Sequence, residues 1–401
     1  MPLRSARLFS IGAQPVRVIP AVLGLALLAS PAAPGQGPAL RSFDRQLRLE
    51  MTSETSASVS LGDIYGDGHL DIVLAKGRHW PLNNILLRND GKGHFTSAVL
   101  GDAPDRTYTA ALADLDGDGR LDIVVSNDRP DRKLVYLNDG KGRFRVGGTF
   151  GQPDWSTRYV TVADLNGDRR PDLVVANRSS NPASPRPSFV CLNDGKGGFP
   201  SCSPIATESA TIIVASDLDG DGHVDLFVPH RDSGQNLIVW NDGTGRFTAA
   251  PSKVGPEHSS IRAAAAADIN GDGLRDLIAG DERTGMFVYL GGRHRIFDAP
   301  VALGAGSGAP YAIAVADLNR DGRLDIVAGR QEARGSVFFN LGGGGLPRFR
   351  EEQWNDGKGS VYGVAIGDLD GDGWPDIAAA RSGAPNAVWF NGPATLPRPP
   401  R

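Results

Sequence analysis

Apolar residues gather along most of the chain in short, β-rich runs, bounded by turn residues such as Gly, Asn, Asp and Pro. The stretch 108–150 shows the form: YTAALADL, LDIVVSN, KLVYLND and RFRVGGTF follow one another with turn residues between. Short β-rich runs of this kind, bounded by turn chemistry, predict short β-strands. Four such strands, A to D, recur in each unit of roughly fifty residues, the period of a β-propeller blade. Strand A is rich in small residues, as in Ala263–Ala267 and at Ala312, Ala314 and Ala316. Small side chains suit the innermost strand, where blades crowd round an axis.

A nine-residue pattern sits between A and B. It reads DIYGDGHLD from Asp63, DLDGDGRLD from Asp114, DLNGDRRPD from Asp164, DLDGDGHVD from Asp217, DINGDGLRD from Asp268, DLNRDGRLD from Asp317 and DLDGDGWPD from Asp368. Successive starts lie 51, 50, 53, 51, 49 and 51 residues apart, which implies seven copies of one unit. Between strands C and D stand NDGKGHF from Asn89, NDGKGRF from Asn138, NDGKGGF from Asn193 and NDGTGRF from Asn241. Asp-Gly steps supply the positive φ angles of tight hairpins. The fifth and sixth units depart from this, with LGGRHRIF from Leu290 and NLGGGGLPRF from Asn340. The last unit ends at Asn391-Gly392 without a strand D, while Phe43–Leu49 precedes the first unit as an orphan strand. The expected fold is therefore all-β: a seven-bladed propeller over 43–392 of four-stranded antiparallel blades, closed by an N-terminal strand that completes the last blade. Closure removes an open sheet edge.

The loop acids point to metal chemistry. Positions 1, 3, 5 and 9 carry oxygen side chains, and position 7 offers a backbone carbonyl. Carboxylates about 5 Å apart repel by roughly 3 kcal/mol per pair at an effective dielectric of about 20. Calcium, which takes six to eight oxygens in flexible geometry, relieves that repulsion better than magnesium. Expected ligands are Asp114, Asp116, Asp118, Arg120 and Asp122; Asp217, Asp219, Asp221, His223 and Asp225; Asp268, Asn270, Asp272, Leu274 and Asp276; Asp317, Asn319, Asp321, Arg323 and Asp325; and Asp368, Asp370, Asp372, Trp374 and Asp376. The third loop offers Asp164, Asn166, Asp168 and Asp172, with Arg169 where the turn prefers Gly. The first is the weakest, keeping Asp63, Asp67 and Asp71 but placing Tyr65 at position 3. About five to seven structural Ca2+ ions follow from this count. An EF-hand is excluded, because position 12 is aliphatic in every copy, from Leu74 to Ala379.

These loops, the NDGKGxF hairpins and the elements of the FG-x-x-P type (LGDAP from Leu100, and the shorter FGQP from Phe150) together resemble FG-GAP/VCBS repeats. The best-known relatives are the seven-bladed propellers of integrin α-subunits, and some secreted lectins are similar. The resemblance covers 43–392. It implies the propeller and its calcium loops, and roles ranging over adhesion, glycan binding and polysaccharide cleavage.

The remaining features concern address and ligand. Arg4, Arg7 and Arg17 precede the 12-residue apolar run Val18–Ala29, too short for a membrane span, and small residues follow it. Residues 1–35 thus read as a signal peptide and short linker, with cleavage after Ala32 or Gly35. Removing 1–32 takes three arginines and no acid, which lowers the formal net charge from −4 to −7. The expected product is exported, periplasmic, extracellular or at the cell surface, with no membrane span and a Pro/Arg-rich tail at 393–401. Its charge argues against nucleic acid as partner. Two cysteines exclude a four-cysteine zinc site. Cys191 and Cys202 lie across one C–D hairpin and predict a disulfide in an oxidising compartment.

No nucleophile elbow, HExxH or P-loop is present. B–C and D–A loops share the face opposite the calcium loops. Six positions before the first loop Asp, the units carry Ala57, Tyr108, Arg158, Thr211, Arg262, Tyr311 and Tyr362. Just after strand B they carry Lys76, Asn127, Arg178, Arg231, Asp281, Arg330 and Arg381, and Trp80, Trp155 and Trp354 lie nearby. Arg with aromatics suits a protein or an anionic glycan. Tyr108, Arg158, Arg262, Tyr311 and Tyr362 are the candidate ligand residues. The expected function is non-catalytic recognition or adhesion. The alternatives are a polysaccharide lyase or hydrolase on the same scaffold, or a passive scaffold domain of a surface assembly.

Overall fold

The computed structural model describes residues 41–394, apart from 180–185, 206, 208, 233, 248, 305–307 and 344. The expected signal segment 1–35 and the tail from 395 onward lie outside the described residues. Seven four-stranded antiparallel sheets account for nearly all regular structure, with one 3-10 turn at Arg293–Arg295. Blade 2 is representative: A is Thr107–Ala113, B is Asp122–Asn127, C is Lys133–Asn138 and D is Phe144–Phe150. The other A strands are Ser56–Gly62, Thr157–Ala163, Val214–Ser216, Ile261–Ala267, Pro310–Ala316 and Ser360–Gly367. Each packs on the next, and the last packs on the first, so the A strands form a closed inner ring. No helix among the described residues is long and apolar enough to cross a membrane.

The core consists of seven clusters, one at each seam between blades. Strand B shows why. In blade 3, Leu173 and Val175 enter the seam with blade 2, and Val174 and Ala176 enter the seam with blade 4. A strand buried on both faces reads as a continuous apolar run, with alternate residues serving alternate neighbours.

The last sheet contains Ser360–Gly367, Asp376–Ser382, Ala387–Pro393 and, as its outer strand, Arg41–Arg48. The N-terminal strand pairs antiparallel with Ala387–Pro393 and closes the ring as expected. The pairing starts two residues earlier than 43 and runs to Pro393, because Arg41 is held. Its Nε donates to Asn391 Oδ1 and its Nη2 to the Asn391 carbonyl, both at 2.8 Å, and its guanidinium lies over Trp374. Phe43 joins the core between blades 6 and 7, while Leu47 packs on the core between blades 7 and 1. Burying a residue such as Phe43 contributes about 2–3 kcal/mol. In blade 3, Cys191 pairs with Cys202 and the two are joined by a disulfide.

Candidate functional site

The two faces of the ring carry different chemistry. On the A–B loop face, each loop is held by its own acids. The position-1 carboxylate accepts backbone N–H groups from within the turn, as Asp114 does from Gly117, Asp118 and Gly119 at 2.8–3.1 Å. The third loop keeps this turn. Arg169 takes a left-handed conformation (φ 67°) and still donates its N–H to Asp164 at 2.8 Å.

The position-9 aspartates are fully buried in all seven blades. Each accepts one N–H from loop position 2 and one from the end of strand C. For Asp122 the donors are Leu115 and Asn138, both at 2.9 Å. Burial pushes the carboxyl up to about 6 at Asp122, Asp172 and Asp225, and to about 7 at Asp325 and Asp376. A buried carboxylate raised by desolvation gains from a bound cation.

The Asn at the end of strand C spans blades in six of the seven. Asn138 Nδ2 donates to the Leu121 carbonyl of its own blade at 3.0 Å and to the Ile64 carbonyl of blade 1 at 2.9 Å. Asn89, Asn193, Asn241, Asn340 and Asn391 repeat the bond to the preceding blade at 2.7–2.9 Å. Blade 5 has Gly291 there, where a Cβ would lie 2.1 Å from the Arg275 carbonyl oxygen. Its N–H still donates to Asp276. This seam is bridged instead by Arg295, whose Nε donates to Asp219 at 2.7 Å and whose guanidinium lies over Trp240.

In three loops the position-1, -3 and -9 carboxylates converge, each group offering oxygens within 4.8 Å of one another: Asp114/Asp116/Asp122, Asp217/Asp219/Asp225 and Asp368/Asp370/Asp376. This all-oxygen donor set fits a hard divalent cation. The loops from Asp164, Asp268 and Asp317 carry Asn at position 3, and Asn166, Asn270 and Asn319 each donate Nδ2 to the position-5 carboxylate, Asp168, Asp272 and Asp321, at 2.9–3.0 Å. Position 5 also meets the guanidinium of position 7 in the pairs Asp118–Arg120, Asp168–Arg170 and Asp321–Arg323. Position-7 backbone N–H groups, at Arg120, His223, Leu274, Arg323 and Trp374, donate to position 5 at 2.8–3.0 Å. In the first loop, Asp63 accepts Asp67 and Gly68 N–H groups, and Asp67 pairs with Arg88.

A match to a family model decides what kind of repeat this is. The model for the FG-GAP-like repeat matches residues 63–125, 114–175, 217–279, 268–328 and 317–379, well over half of the chain. The chain belongs to the FG-GAP-like repeat family. Among curated proteins, this FG-GAP-like chain is 30% identical over 205 residues to cartilage acidic protein 1 of Mus musculus, covering 47% of the chain and 31% of that protein. It is 28% identical over 182 residues to the Xenopus tropicalis protein of the same name, covering 40% and 27% respectively. The match thus spans about a third of those relatives' length. Among solved structures, BBS1N in complex with ARL6DN has a TM-score of 0.57 at 12% identity over 90% of this chain and 98% of that one, a likeness of fold alone.

The opposite face of this FG-GAP-like propeller holds the five candidate ligand residues. In six of seven blades, the residue six positions before the loop is the extra residue of a β-bulge. Ala57, Tyr108, Arg158, Arg262, Tyr311 and Tyr362 each fall where the A–B register shifts. A bulge leaves its extra residue out of the ladder and re-aims its side chain. Blade 4 starts strand A later, at Val214, and Thr211 precedes it with Oγ1 buried and without a hydrogen-bond partner among the described residues.

The bulge residues meet at the mouth of the channel. Arg158 lies 4.3 Å from the Tyr108 ring centre, Arg262 lies 3.8 Å from Tyr311 and 5.0 Å from Tyr362, and the two tyrosine rings are 5.1 Å apart. Arg78, from the B–C loop of blade 1, joins the two halves. It lies 3.8 Å from Tyr362 and 5.9 Å from Tyr108. A continuous belt of arginines and tyrosines therefore crosses blades 3, 2, 1, 7, 6 and 5.

Carboxylates tie parts of the belt down. Arg158 bonds Asp128 at 2.7 Å, Arg178 grips Asp232 with two nitrogens, and Arg231 and Arg262 share Glu282. Burial alone would raise Asp128 and Glu282, but their arginines outweigh it and hold both carboxyls below the usual range. Tyr108 OH lies 2.9 Å from His79 Nε2. Burial, aided by Arg158 and Arg78, pushes the His79 pKa down, and burial pushes Tyr108 up.

The positions expected just after strand B divide, and Lys76, Asn127, Asp281, Arg330 and Arg381 lie within the strand itself. Arg178 and Arg231 border the belt, but Lys76, Arg330 and Arg381 are buried clamps. Lys76 Nζ bonds Glu50 and Glu54, Arg330 bonds the Gly308 carbonyl, and Arg381 bonds Asp356 and the Pro385 carbonyl. Trp155 stacks on Phe189, Trp354 is buried against Trp389, and only Trp80 of the three is exposed. Arg78 escaped the sequence reading because it lies off the repeat offset. The available signal was the unusual Gly77-Arg78-His79-Trp80-Pro81 loop.

Proposed function

We propose that this protein is an exported, calcium-stabilised propeller that recognises a ligand without catalysis at its channel mouth. The continuous arginine–tyrosine belt carries the reading. It joins side chains from six blades at one end of the axis, and loops on a rigid scaffold commonly carry function. Calcium would be held by the loop carboxylates at positions 1, 3 and 9, with the remaining loop oxygens completing its shell. Its contribution there is to neutralise clustered acids and pin each A–B loop. Export is supported by the apolar N-terminal run and by the disulfide.

The test is an array of glycans and matrix proteins probed with the mature protein, in calcium and in chelator. Binding to one ligand class, lost in Arg158→Ala/Arg262→Ala protein that remains folded, is the expected result. Binding indifferent to that double substitution overturns the site.

One observation favours a second reading, polysaccharide cleavage. β-Elimination from a uronate needs a cation on the carboxylate, a base for the C5 proton and an acid for the leaving oxygen. Arg158, neutral His79 and the Tyr108 hydroxyl stand in that order within one cluster. Release of unsaturated uronate from polyuronates, abolished by His79→Ala, would replace recognition with catalysis.

A further inference from the structure

Four of the five arginines around the mouth have a carboxylate partner: Arg158, Arg178, Arg231 and Arg262. Arg78 has none among the described residues. Its Nε is buried with no hydrogen-bond partner there, and its guanidinium lies against the Tyr362 ring at 3.8 Å, with the Tyr108 ring farther off at 5.9 Å. Five arginines against Asp128, Asp232 and Glu282 leave a local positive excess in a chain whose formal charge is −4.

The loop that presents Arg78 is built for one conformation. Arg78 sits in the left-handed region at φ 53°, which L-residues adopt only when the surroundings hold them there. Gly77 has φ 105°, and a Cβ on it would lie 2.3 Å from the Trp80 carbonyl oxygen and 2.5 Å from that of Asp105. Backbone bonds fasten the loop: Gly77 N–H to the Thr55 carbonyl, Arg78 N–H to the Thr107 carbonyl and Trp80 N–H to the Gly77 carbonyl, at 2.9–3.2 Å. Trp80, two residues after Arg78, is 70% exposed.

We propose that Arg78 is the anion-receiving group of the mouth, and that its ligand is a side-chain carboxylate projected by an acidic peptide segment of a partner protein. This rests on the channel-mouth reading above. A planar guanidinium held against an aromatic face is prepared to take a carboxylate by its remaining N–H groups. The burial of Arg78 Nε leaves only the outer N–H groups of the guanidinium to a ligand, which suits one projecting side chain better than a polymer laid across the face. Arg, Tyr and an exposed Trp are also the residues that dominate protein–protein hot spots.

The experiment is a random-peptide array probed with full-length mature protein in calcium, beside an oligogalacturonate as the uronate probe. Wild type is compared with Arg78→Ala, Arg78→Lys and Arg143→Ala, the last a remote control at an exposed pair with Asp139. Thermal midpoints establish that each variant is folded. The expected result is a bound peptide set enriched in Asp and Glu. Asp→Asn and Glu→Gln replacement in those peptides should lower affinity at least about tenfold, as should Arg78→Ala. Arg78→Lys should recover only part, because it keeps the charge without the fork, and Arg143→Ala should bind as wild type. Retention of acidic peptides by Arg78→Ala overturns the role of Arg78. Oligogalacturonate binding that needs Arg78, without peptide binding, overturns the peptide ligand while leaving the channel-mouth reading standing. Failure of wild type to bind either probe overturns the proposal, whereas the wider matrix and glycan array decides the channel-mouth reading separately.

Discussion

The two faces of the ring are built on opposite plans. On the A–B loop face, one solution is repeated: a buried aspartate accepts two backbone N–H groups in every blade, and an asparagine ties six blades to their predecessors. On the mouth face, one backbone device, the bulge, recurs while the residue it presents changes from Ala57 to Tyr108 to Arg158. The contacts there run between side chains of different blades. Identical polar groups with identical backbone partners serve architecture. A fixed backbone presenting different side chains serves a single asymmetric surface.

The largest test of the architectural face is removal of residues 41–48. That deletion strips the outer strand of the last blade, the Arg41 clamp on Asn391 and Phe43, and bares a sheet edge. We expect loss of the cooperative unfolding transition and aggregation, read by calorimetry and light scattering. An intact transition would show that the ring does not depend on its closure.

Calcium chelation comes next. A ligand bound only by the folded state stabilises by about 2.7 kcal/mol per site at a hundred times its dissociation constant. Chelation should lower the thermal midpoint, and Asp114→Ala/Asp217→Ala/Asp368→Ala protein should have lost most of that response. An unchanged midpoint in both would reduce the loops to turns.

With calcium chelated, Asp122→Ala should destabilise by roughly 2–5 kcal/mol, since two buried N–H groups lose their acceptor. Asp118→Ala, an exposed neighbour, should cost under about 1 kcal/mol. Equal losses by denaturant titration would erase the distinction between latch and ligand.

The mouth face offers a pH test. Asp105, the last residue of strand D of blade 1 (Phe95–Asp105), is pushed up to about 6 by burial and then by Asp131. Between about pH 4 and 6 the folded protein keeps a proton that the unfolded chain has released. Stability therefore falls as pH rises through that window and levels off above it. Since Asp105 is only partly buried, screening leaves about 1 kcal/mol of the effect. The buried aspartates at loop position 9, raised to about 6 or 7, add slope of the same sign. Asp105→Asn should therefore make the fall shallower by its own share, and an unaltered slope would assign all of it to them.

The smallest effect is expected at the third loop. Arg169→Gly relieves a left-handed arginine and should stabilise by about 1 kcal/mol or less. Destabilisation would show that the Arg169 side chain contributes more than its conformation costs.

Much of this molecule was legible before folding was considered. Repeat spacing named the loops, and a last unit one strand short named Phe43–Leu49 as the closing strand. The offset from each loop found the bulge residues, because six of the seven blades insert the extra residue at the same place. The positions after strand B misled, for the same offset gives a rim arginine at Arg178 and a buried clamp at Arg381. Periodicity reports which face of a strand a residue takes, not how deep the following loop is buried. Arg78 stayed hidden because its role comes from a left-handed turn peculiar to blade 1.

By itself the sequence determined everything that follows from local repetition: strand alternation, hairpin turns, the acidic loops, the number of blades and the strand left over to close them. These depend on residues near in the chain, so spacing and chemistry suffice. Only the tertiary structure decided which polar groups would be partners. Asn138 reaches Ile64, 74 positions away, because neighbouring blades pack on each other, and Arg78 meets Tyr362 because ring closure brings the first blade against the last. Coulombic and hydrogen-bond energies depend on that distance and on burial, neither of which is written in the order of the residues.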